Sequence, residues 1–581
     1  MDEKILKIRH SLSHILALAV KRIYKNVKLG IGPAIDNGFY YDFDFIDRKI
    51  EEDELKKIED EMRKIIDENQ DFIREEWDKN KAIEYFQKIG EDFKIELINE
   101  IPDEKVSIYK NGEFLDLCKG PHISNTSELK NVGFNLSSIA GAYWRGSERN
   151  KMLTRIYGFA FETKEKLNEY LKFLEETSKR DHRVIAKQMD LYSTNENVGA
   201  GLILWHPNGA IIRYEIENYW REEHLKNGYK FIYTPHIGRE NLWKISGHLE
   251  FYKNAMYSPI SIDDINYYVK PMNCPFHIQI YKSKTRSYRD LPLRWAELGT
   301  VYRFEKAGVL HGLLRVRGFT QDDAHIICTP SQLENEIIEV IKFSLNIWKT
   351  FGFDDIKAYV STKPTDAIGD LKMWETAQSI LIKAIDESGL KYEIDEGGGA
   401  FYGPKIDLKI KDAIGREWQT TTIQFDFNLP ERFEMEFSDN DGKLKRPYMI
   451  HRALLGSLER FFGILIEHYA GLFPTWLSPI QVYVLNITSR EEDYAKNVYA
   501  KLIKNGIRAE IDLSKEPISG KIRSAANYKP PYLIIIGDKE KQNNSISLKL
   551  RGNRNLYNIK LDEFIDKLKL EISSRSNKLS Y

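Results

Sequence analysis

LPLRWAELGTVYRFEKAGVLHGLLRVRGFTQDDAHIIC, residues 291–328, is the stretch on which the reading of the chain turns. It predicts two strands, VYRFE and LLRVRGFTQDDAHII, joined by a loop too long and too charged for an ordinary hairpin turn. Alternate residues of a strand share a face, so Arg315, Arg317, Phe319, Gln321, Asp323 and His325 are expected to point one way. Guanidinium groups at one end of that face suit phosphate and a ring in the middle suits a base. Amide, carboxylate and imidazole at the far end suit a small polar substrate or a metal. The implied site is a nucleotide site; the alternative is a solvated strand face carrying a chance histidine.

The chain has 581 residues, 42% of them hydrophobic, enough at ~150 residues per domain for three or four cores. A net charge of -1 gives no overall field toward nucleic acid, so any RNA contact must come from local patches. Three cysteines, Cys118, Cys274 and Cys328, exclude a disulfide framework and fit a reducing compartment. The first residues lack the apolar core and cleavage site of a signal peptide, and no run of about 18 apolar residues occurs. The expectation is a cytoplasmic protein with no membrane association.

Ile5, Ile8, Leu12, Ile15, Leu16 and Ala19 recur at helical period, predicting an amphipathic helix over Arg9 to Tyr24. His10 and His14 share one face of it; they can be metal ligands, a catalytic pair or two polar positions. GIGPAIDNGFYYDFDF reads as a turn and strand, and a charged helix follows near Glu51 to Glu68. FLDLCKGPHIS brings Asp116, Cys118 and His122 into a rigid loop around Gly120-Pro121. Three histidines and a cysteine would suit Zn²⁺ if they converged. Residues Phe161 to Lys187 are charged and helical in period and read as a linker helix.

Further on, AIIRYEIENYWREEHLKNGYKFIYTPHI predicts a helix capped at Asn227-Gly228 and a strand stopping at Pro235. His248 lies in SGHLEFY, and Cys274 sits between Asn273 and Pro275 in a turn that looks exposed. In HRALLGSLERF, His451 precedes a small-residue segment, Ala453 to Ser457, and Arg460 lies on the helix after it. Cys274, His325 and His451 are 51 and 126 residues apart, so no spacing rule makes them a ligand set. GGGAFYG is not a Walker phosphate loop, since no GK[ST] follows. After FPTWLSP, strands alternate with helices, which indicates a small α/β domain around a mixed sheet. Lys521, Arg523, Lys529, Lys549, Arg551 and Arg554 in it suit RNA phosphate, or an ordinary Lys-rich surface.

Taken in order, these stretches resemble the threonyl-tRNA synthetase family over nearly the whole chain. YRFE with its loop resembles motif 2 of class II aminoacyl-tRNA synthetases, and RVRGFTQDDAH the threonyl version of it. The helix, Gly, strand and Pro before Ile237 resemble motif 1, and HRALLGSLERF resembles motif 3. RHSLSH, NGFYYDFD, DLCKGPH and GAYWRGSERNKMLTRIYG resemble the family's editing domain, and GDKE at 537–540 its anticodon-binding domain. The resemblance implies an α/β and α+β multidomain protein: an α+β editing domain over 1–162, the linker helix over 163–187, a class II antiparallel-sheet catalytic domain over 188–476 and an α/β anticodon-binding domain over 478–581. It implies a homodimer acting on ATP, L-threonine and tRNA(Thr), with Mg²⁺ accompanying ATP.

The same resemblance assigns residues. Cys274, His325 and His451 would hold one Zn²⁺ per subunit. Arg303 would hold the α-phosphate, Arg315 and Arg460 the outer phosphates, Glu305 the adenine amino group and Phe319 the adenine face. Gln321, Asp323, Tyr402 and Gln419 would surround threonine, and His248 would assist proton transfer at the terminal ribose. His10, His14, Asp116, Cys118 and His122 would line a site hydrolysing mischarged seryl-tRNA(Thr) without a required metal. Three departures from the family pattern are expected: no small ubiquitin-like domain before the editing domain, as many bacterial members have, Phe276 where members usually have Gly, and Lys549 and Lys515 at positions where they often have Arg or Asn. A rival of another class is an RNA-binding protein that has kept the fold and lost catalysis; the intact motif arginines argue against it.

Overall fold

The computed structural model describes residues 3–46, 48–364, 371–400, 403–552 and 554–581. They form two compact units, Met1–Glu175 and Glu176–Tyr581.

In the first unit, helix α1 (Glu3–Ile23) begins six residues before its expected start. Glu3 in its first turn and Lys21 and Arg22 in its last complement the helix dipole. Its apolar stripe packs with β1 (Val27–Leu29), β2 (Gly38–Phe45) and α2 (Leu55–Asp67) into one core. A separate three-stranded antiparallel sheet runs β3 (Phe72–Asp78), β4 (Lys105–Asn111), β5 (Phe114–Leu117). Strands β6 (Gly133–Tyr143) and β7 (Met152–Phe161) complete the larger sheet, whose order is β1-β2-β7-β6.

The expected single linker helix over 163–187 is two helices, α3 (Lys164–Lys179) and α4 (His182–Met189). The break is made by Asp181, whose carboxylate accepts the N–H of Arg183 as an N-cap. Arg180 meanwhile donates to the carbonyls of Glu467 and His468.

The second unit continues with α5 (Pro207–Lys226), which starts on a proline and stops at Asn227 as its cap signals require, then β8 (Lys230–Phe231). Helix α6 (Cys274–Lys282), β9 (Leu293–Tyr302), β10 (Gly318–Cys328), α7 (Leu333–Thr350), β11 (Ile356–Ser361), α8 (Leu371–Ser388), β12 (Tyr392–Asp395), β13 (Lys405–Lys411), β14 (Glu417–Asp426), β15 (Tyr448–Ser457) and α9 (Leu458–Tyr469) follow. The eight strands form one sheet ordered β8-β9-β10-β15-β14-β13-β11-β12. The six inner strands are antiparallel and each edge strand joins in parallel. Helices α5, α7, α8 and α9 contribute to its core.

The last five strands, β16 (Val482–Asn486), β17 (Ala509–Asp512), β18 (Tyr532–Ile536), β19 (Ile546–Leu550) and β20 (Asn555–Ile559), form a mixed sheet ordered β17-β16-β18-β19-β20. Helices α10 (Glu492–Lys504), α11 (Ile518–Ala526) and α12 (Leu561–Ser573) accompany it.

Candidate functional site

The register of the large sheet does what sequence spacing could not. β10 and β15 pair so that His325 lies directly opposite His451, and Cys274 enters from the first turn of α6, buried rather than in an exposed turn. The three ligand atoms lie within 4.8 Å of one another, with His325 Nε2 and His451 Nδ1 2.9 Å apart.

The other ring nitrogens are committed. His451 Nε2 is 2.7 Å from Asp426 Oδ2; His325 Nδ1 is 2.7 Å from His277 Nδ1, whose Nε2 is 3.1 Å from Glu297. Carboxylates only accept here, so His451 Nε2 and His277 Nε2 carry their protons toward Asp426 and Glu297 and His325 Nδ1 donates to His277; with a metal bound, His325 Nε2 and His451 Nδ1 would be the lone pairs offered beside the Cys274 thiol. Burial opposes charge on His451, but hydrogen bonds to Asp426 and Cys274 outweigh it and raise its pKa to about 10. Burial meanwhile lowers His325 and raises the Cys274 thiol; one sulfur and two nitrogens are the donor set of zinc. His277 and Asp426 escaped the sequence reading. The three-residue spacing of His277 from Cys274 on one helix was the available signal, whereas nothing marks Asp426 in its strand.

Above this cluster opens a cavity of about 700 Å³ lined by Arg303, Glu305, Arg315, Phe319, Gln321, Asp323, Gln419 and Arg460 together with the three ligands. Phe319, Gln321, Asp323 and His325 share a face of β10 as expected, whereas Arg315 and Arg317 precede the strand. Arg315 is placed instead by a turn in which His311 and Arg315 bridge. Arg317 faces away, donating to the Glu305 carbonyl and lying over Phe304. β9 ends at Tyr302, so Arg303 to Glu305 lie beyond it. Arg303 sits 5.1 Å over the Phe319 ring, and burial, then Arg315, lowers the pKa of Arg460. A concentration of cations that burial and mutual repulsion disfavour is an anion site.

Asp323 is held by Asn273, which donates to it at 3.0 Å. Asp322 points the other way and accepts the N–H groups of Leu454, Leu455 and Gly456. These three residues form the bulge between Gln321 and Asp323 that carries β15 into α9 and Arg460.

His248 is not in the cavity lining. It is buried behind Met272, with ring nitrogens on Ser246 Oγ at 2.8 Å and Met272 Sδ at 3.1 Å; burial, then Arg303, lowers it to about 4. Tyr402 lies outside the described residues.

In the first unit, His10, His14, Cys118 and His122 do converge, their ligand atoms within 4.8 Å of one another. Cys118 Sγ lies 3.3 Å from His10 Nε2 and 3.2 Å from His122 Nε2. Burial holds all three imidazoles below their usual range and pushes the thiol up to about 12, so the cluster is neutral near pH 7. Asp116 lies 4.0 Å from His14 and is bound by Lys94 and Tyr41, both at 2.5 Å. Lys94 was missed because a lysine in a short charged helix reads as solvated, yet it is buried.

Comparison with known proteins agrees with this layout. Residues 257–469 match the tRNA synthetase class II core domain (G, H, P, S and T), 481–571 an anticodon binding domain, and 106–157 the threonyl and alanyl tRNA synthetase second additional domain. The eight-stranded sheet with its arginine-lined cavity is that of a class II aminoacyl-tRNA synthetase.

The chain is 54% identical over 576 residues to the threonine–tRNA ligase of Aquifex aeolicus, covering 99% of this chain and 90% of that one. It is 52% identical over 576 residues to the threonine–tRNA ligase of Borrelia hermsii, covering 99% and 98%. The RNA binding domain of threonyl-tRNA synthetase from Cryptosporidium parvum superposes with a TM-score of 0.65 at 36% identity, over 68% of this chain and 99% of that one. The chain belongs to the threonine–tRNA ligase family.

Proposed function

We propose that this threonine–tRNA ligase activates L-threonine with Mg²⁺-ATP to threonyl-adenylate, transfers the acyl group to the 3′ end of tRNA(Thr), and hydrolyses mischarged seryl-tRNA(Thr) at a second site. The observation that carries the reading is the Cys274–His325–His451 cluster at the cavity beside Arg303, Phe319 and Arg460. Those three side chains would hold Zn²⁺, which would supply recognition of the amino and hydroxyl groups of threonine.

The chain's own residues then act on a fixed substrate. Asp323, oriented by Asn273, accepts from the threonine hydroxyl, and Gln321 and Gln419 flank it. Phe319 stacks on adenine and Glu305 accepts from its amino group. Arg315 and Arg460 hold the outer phosphates, and Arg303 stabilises charge on the α-phosphate as the carboxylate attacks. His248, buried behind Met272, assists proton transfer at the ribose. The exposed apolar side chains of the motif 1 region, Tyr214 and Leu225 on α5 and Tyr233 beyond β8, suit the homodimer contact. Among the described residues no helix is long and apolar enough to cross a membrane, in keeping with work in the cytoplasm.

Valine fails for want of a hydroxyl. Serine keeps it and lacks one methyl, so the pocket separates the two by only ~1–3 kcal/mol, roughly 10- to 200-fold, against a need on the order of 10⁴. His10, His14, Cys118, His122 and Asp116 with Lys94 supply the second, hydrolytic site.

The test is bound zinc and threonine-dependent pyrophosphate exchange in the native protein and in Cys274→Ala. Stoichiometric zinc and exchange should both be lost in the variant; zinc that survives places the metal elsewhere. His10→Ala should retain exchange and lose serine release from seryl-tRNA(Thr), and unchanged release would remove the editing role.

A further inference from the structure

His182, on α4, takes no part in the chemistry described above, yet it is fully buried and every polar atom of its ring is used. Its Nδ1 is 2.7 Å from Glu467 Oε1, which also accepts the His182 backbone N–H at 3.2 Å. Its Nε2 is 3.0 Å from the backbone N–H of Leu313. A backbone N–H only donates, so Nε2 must present a lone pair and the ring proton sits on Nδ1, where the carboxylate accepts it. Glu467 is fixed in turn by Arg416 at 2.6 Å.

Leu313 belongs to the turn that carries Arg315. His311 and Arg315 bridge across it, and the Leu314 N–H returns to the His311 carbonyl at 2.9 Å. The turn is gripped closely. At Gly312, whose φ is +49°, a Cβ would stand 2.1 Å from His182 Nε2; at Gly463 on α9 one would stand 3.0 Å from Leu314. Leu314, Arg315 and Val316 go on to line the nucleotide cavity.

We propose that His182 is a positioning residue for the nucleotide site: through the Leu313 N–H it fixes the turn that aims Arg315 at the phosphates of ATP. The assignment rests on the reading of Arg315 as a phosphate ligand. It makes a residue at the start of the catalytic unit a determinant of ATP affinity and leaves the threonine end of the cavity to other supports.

The test uses the full-length enzyme in threonine-dependent pyrophosphate exchange, with KM measured separately for ATP and threonine. Gln reaches the position of Nε2 with an acceptor oxygen, whereas Asn reaches only that of Nδ1. His182→Asn should therefore raise the KM for ATP about ten-fold, the order set by one unpaired buried N–H, with the KM for threonine unchanged; His182→Gln should stay within about two-fold of native. Gly312→Ala, whose new methyl displaces the ring without removing it, should reproduce the ATP-selective rise and serves if the asparagine variant does not fold. A native KM for ATP in both His182→Asn and Gly312→Ala overturns the proposal. So does a parallel rise for both substrates, or an equal effect of Asn and Gln, which would mark His182 as a packing residue only. Arg315→Ala separates the two levels: if its KM for ATP is native, the reading of Arg315 fails and the proposal with it, whereas a raised KM there beside native values in the other variants removes His182 alone.

Discussion

Asp426 receives the Nε2 proton of His451 on one oxygen and the N–H groups of Asn428 and Leu429 on the other. Asparagine cannot serve both sides, because its NH₂ must face either an imidazole that donates or a backbone that donates. Turned toward His451, it moves the ring proton to Nδ1, the ligand atom. Asp426→Asn is accordingly expected to weaken zinc binding 10- to 100-fold, and competition against a chelator measures it; unchanged affinity would make Asp426 a packing carboxylate. The candidate metal-ligand set of Cys274, His325 and His451 was legible only through the family resemblance, because strand register and not spacing brings His325 and His451 together. Their supports, His277 and Asp426, and Lys94 beside the His10–His14–Cys118–His122 cluster were not legible, since a buried polar residue is told from an exposed one by what surrounds it in space.

At the level of elements, cap signals located α5 well and periodicity found α1 but began it six residues late, and both failed where a side chain outside the element decides its end. Asp181 interrupts a stretch whose period continues, and the His311–Arg315 turn removes Arg315 from a strand whose alternation includes it. Gly209 in the first turn of α5 shows how contact overrides propensity. In an open helix Gly→Ala stabilises by ~1 kcal/mol. Here the added Cβ would stand 2.0 Å from the Leu191 carbonyl oxygen, which accepts the His206 N–H at 3.0 Å and so fixes where the helix begins. Opening that contact costs ~1–3 kcal/mol, so the balance goes against alanine. Gly209→Ala should lower the apparent unfolding temperature of the catalytic unit by a few degrees in calorimetry, and a rise would show that the backbone yields freely.

Across the second unit as a whole, the basic residues near the C-terminus divide by environment into two sets that their sequence does not distinguish. Lys521 is buried and donates to Asn486 and the Asp512 carbonyl. Lys529 donates to the Ala470 carbonyl at the end of α9, and Arg551 to the carbonyls of Phe473 and Lys529. The bonds of Lys521 stay inside the mixed-sheet domain, whereas Lys529 and Arg551, with Arg508 on Glu215 and the Trp476 carbonyl and Arg575 on Glu222, fasten that domain to the large-sheet domain. These cations are occupied, whereas Arg523 and Arg554 are exposed and Lys549 is half-buried. Phosphate contacts release counterions and so steepen the fall of affinity with salt, by about one unit of log–log slope per contact. Removing Arg523, Lys549 or Arg554 should therefore weaken tRNA binding and flatten its salt dependence. Arg551→Ala should leave that slope unchanged and instead loosen the docking, separating one unfolding transition of the unit into two. Binding of tRNA(Thr) across a range of KCl, beside calorimetry on the same variants, decides it. A flattened slope in Arg551→Ala would mean that its guanidinium leaves those carbonyls for phosphate when tRNA binds, and that the two domains are held by the nucleic acid rather than by each other.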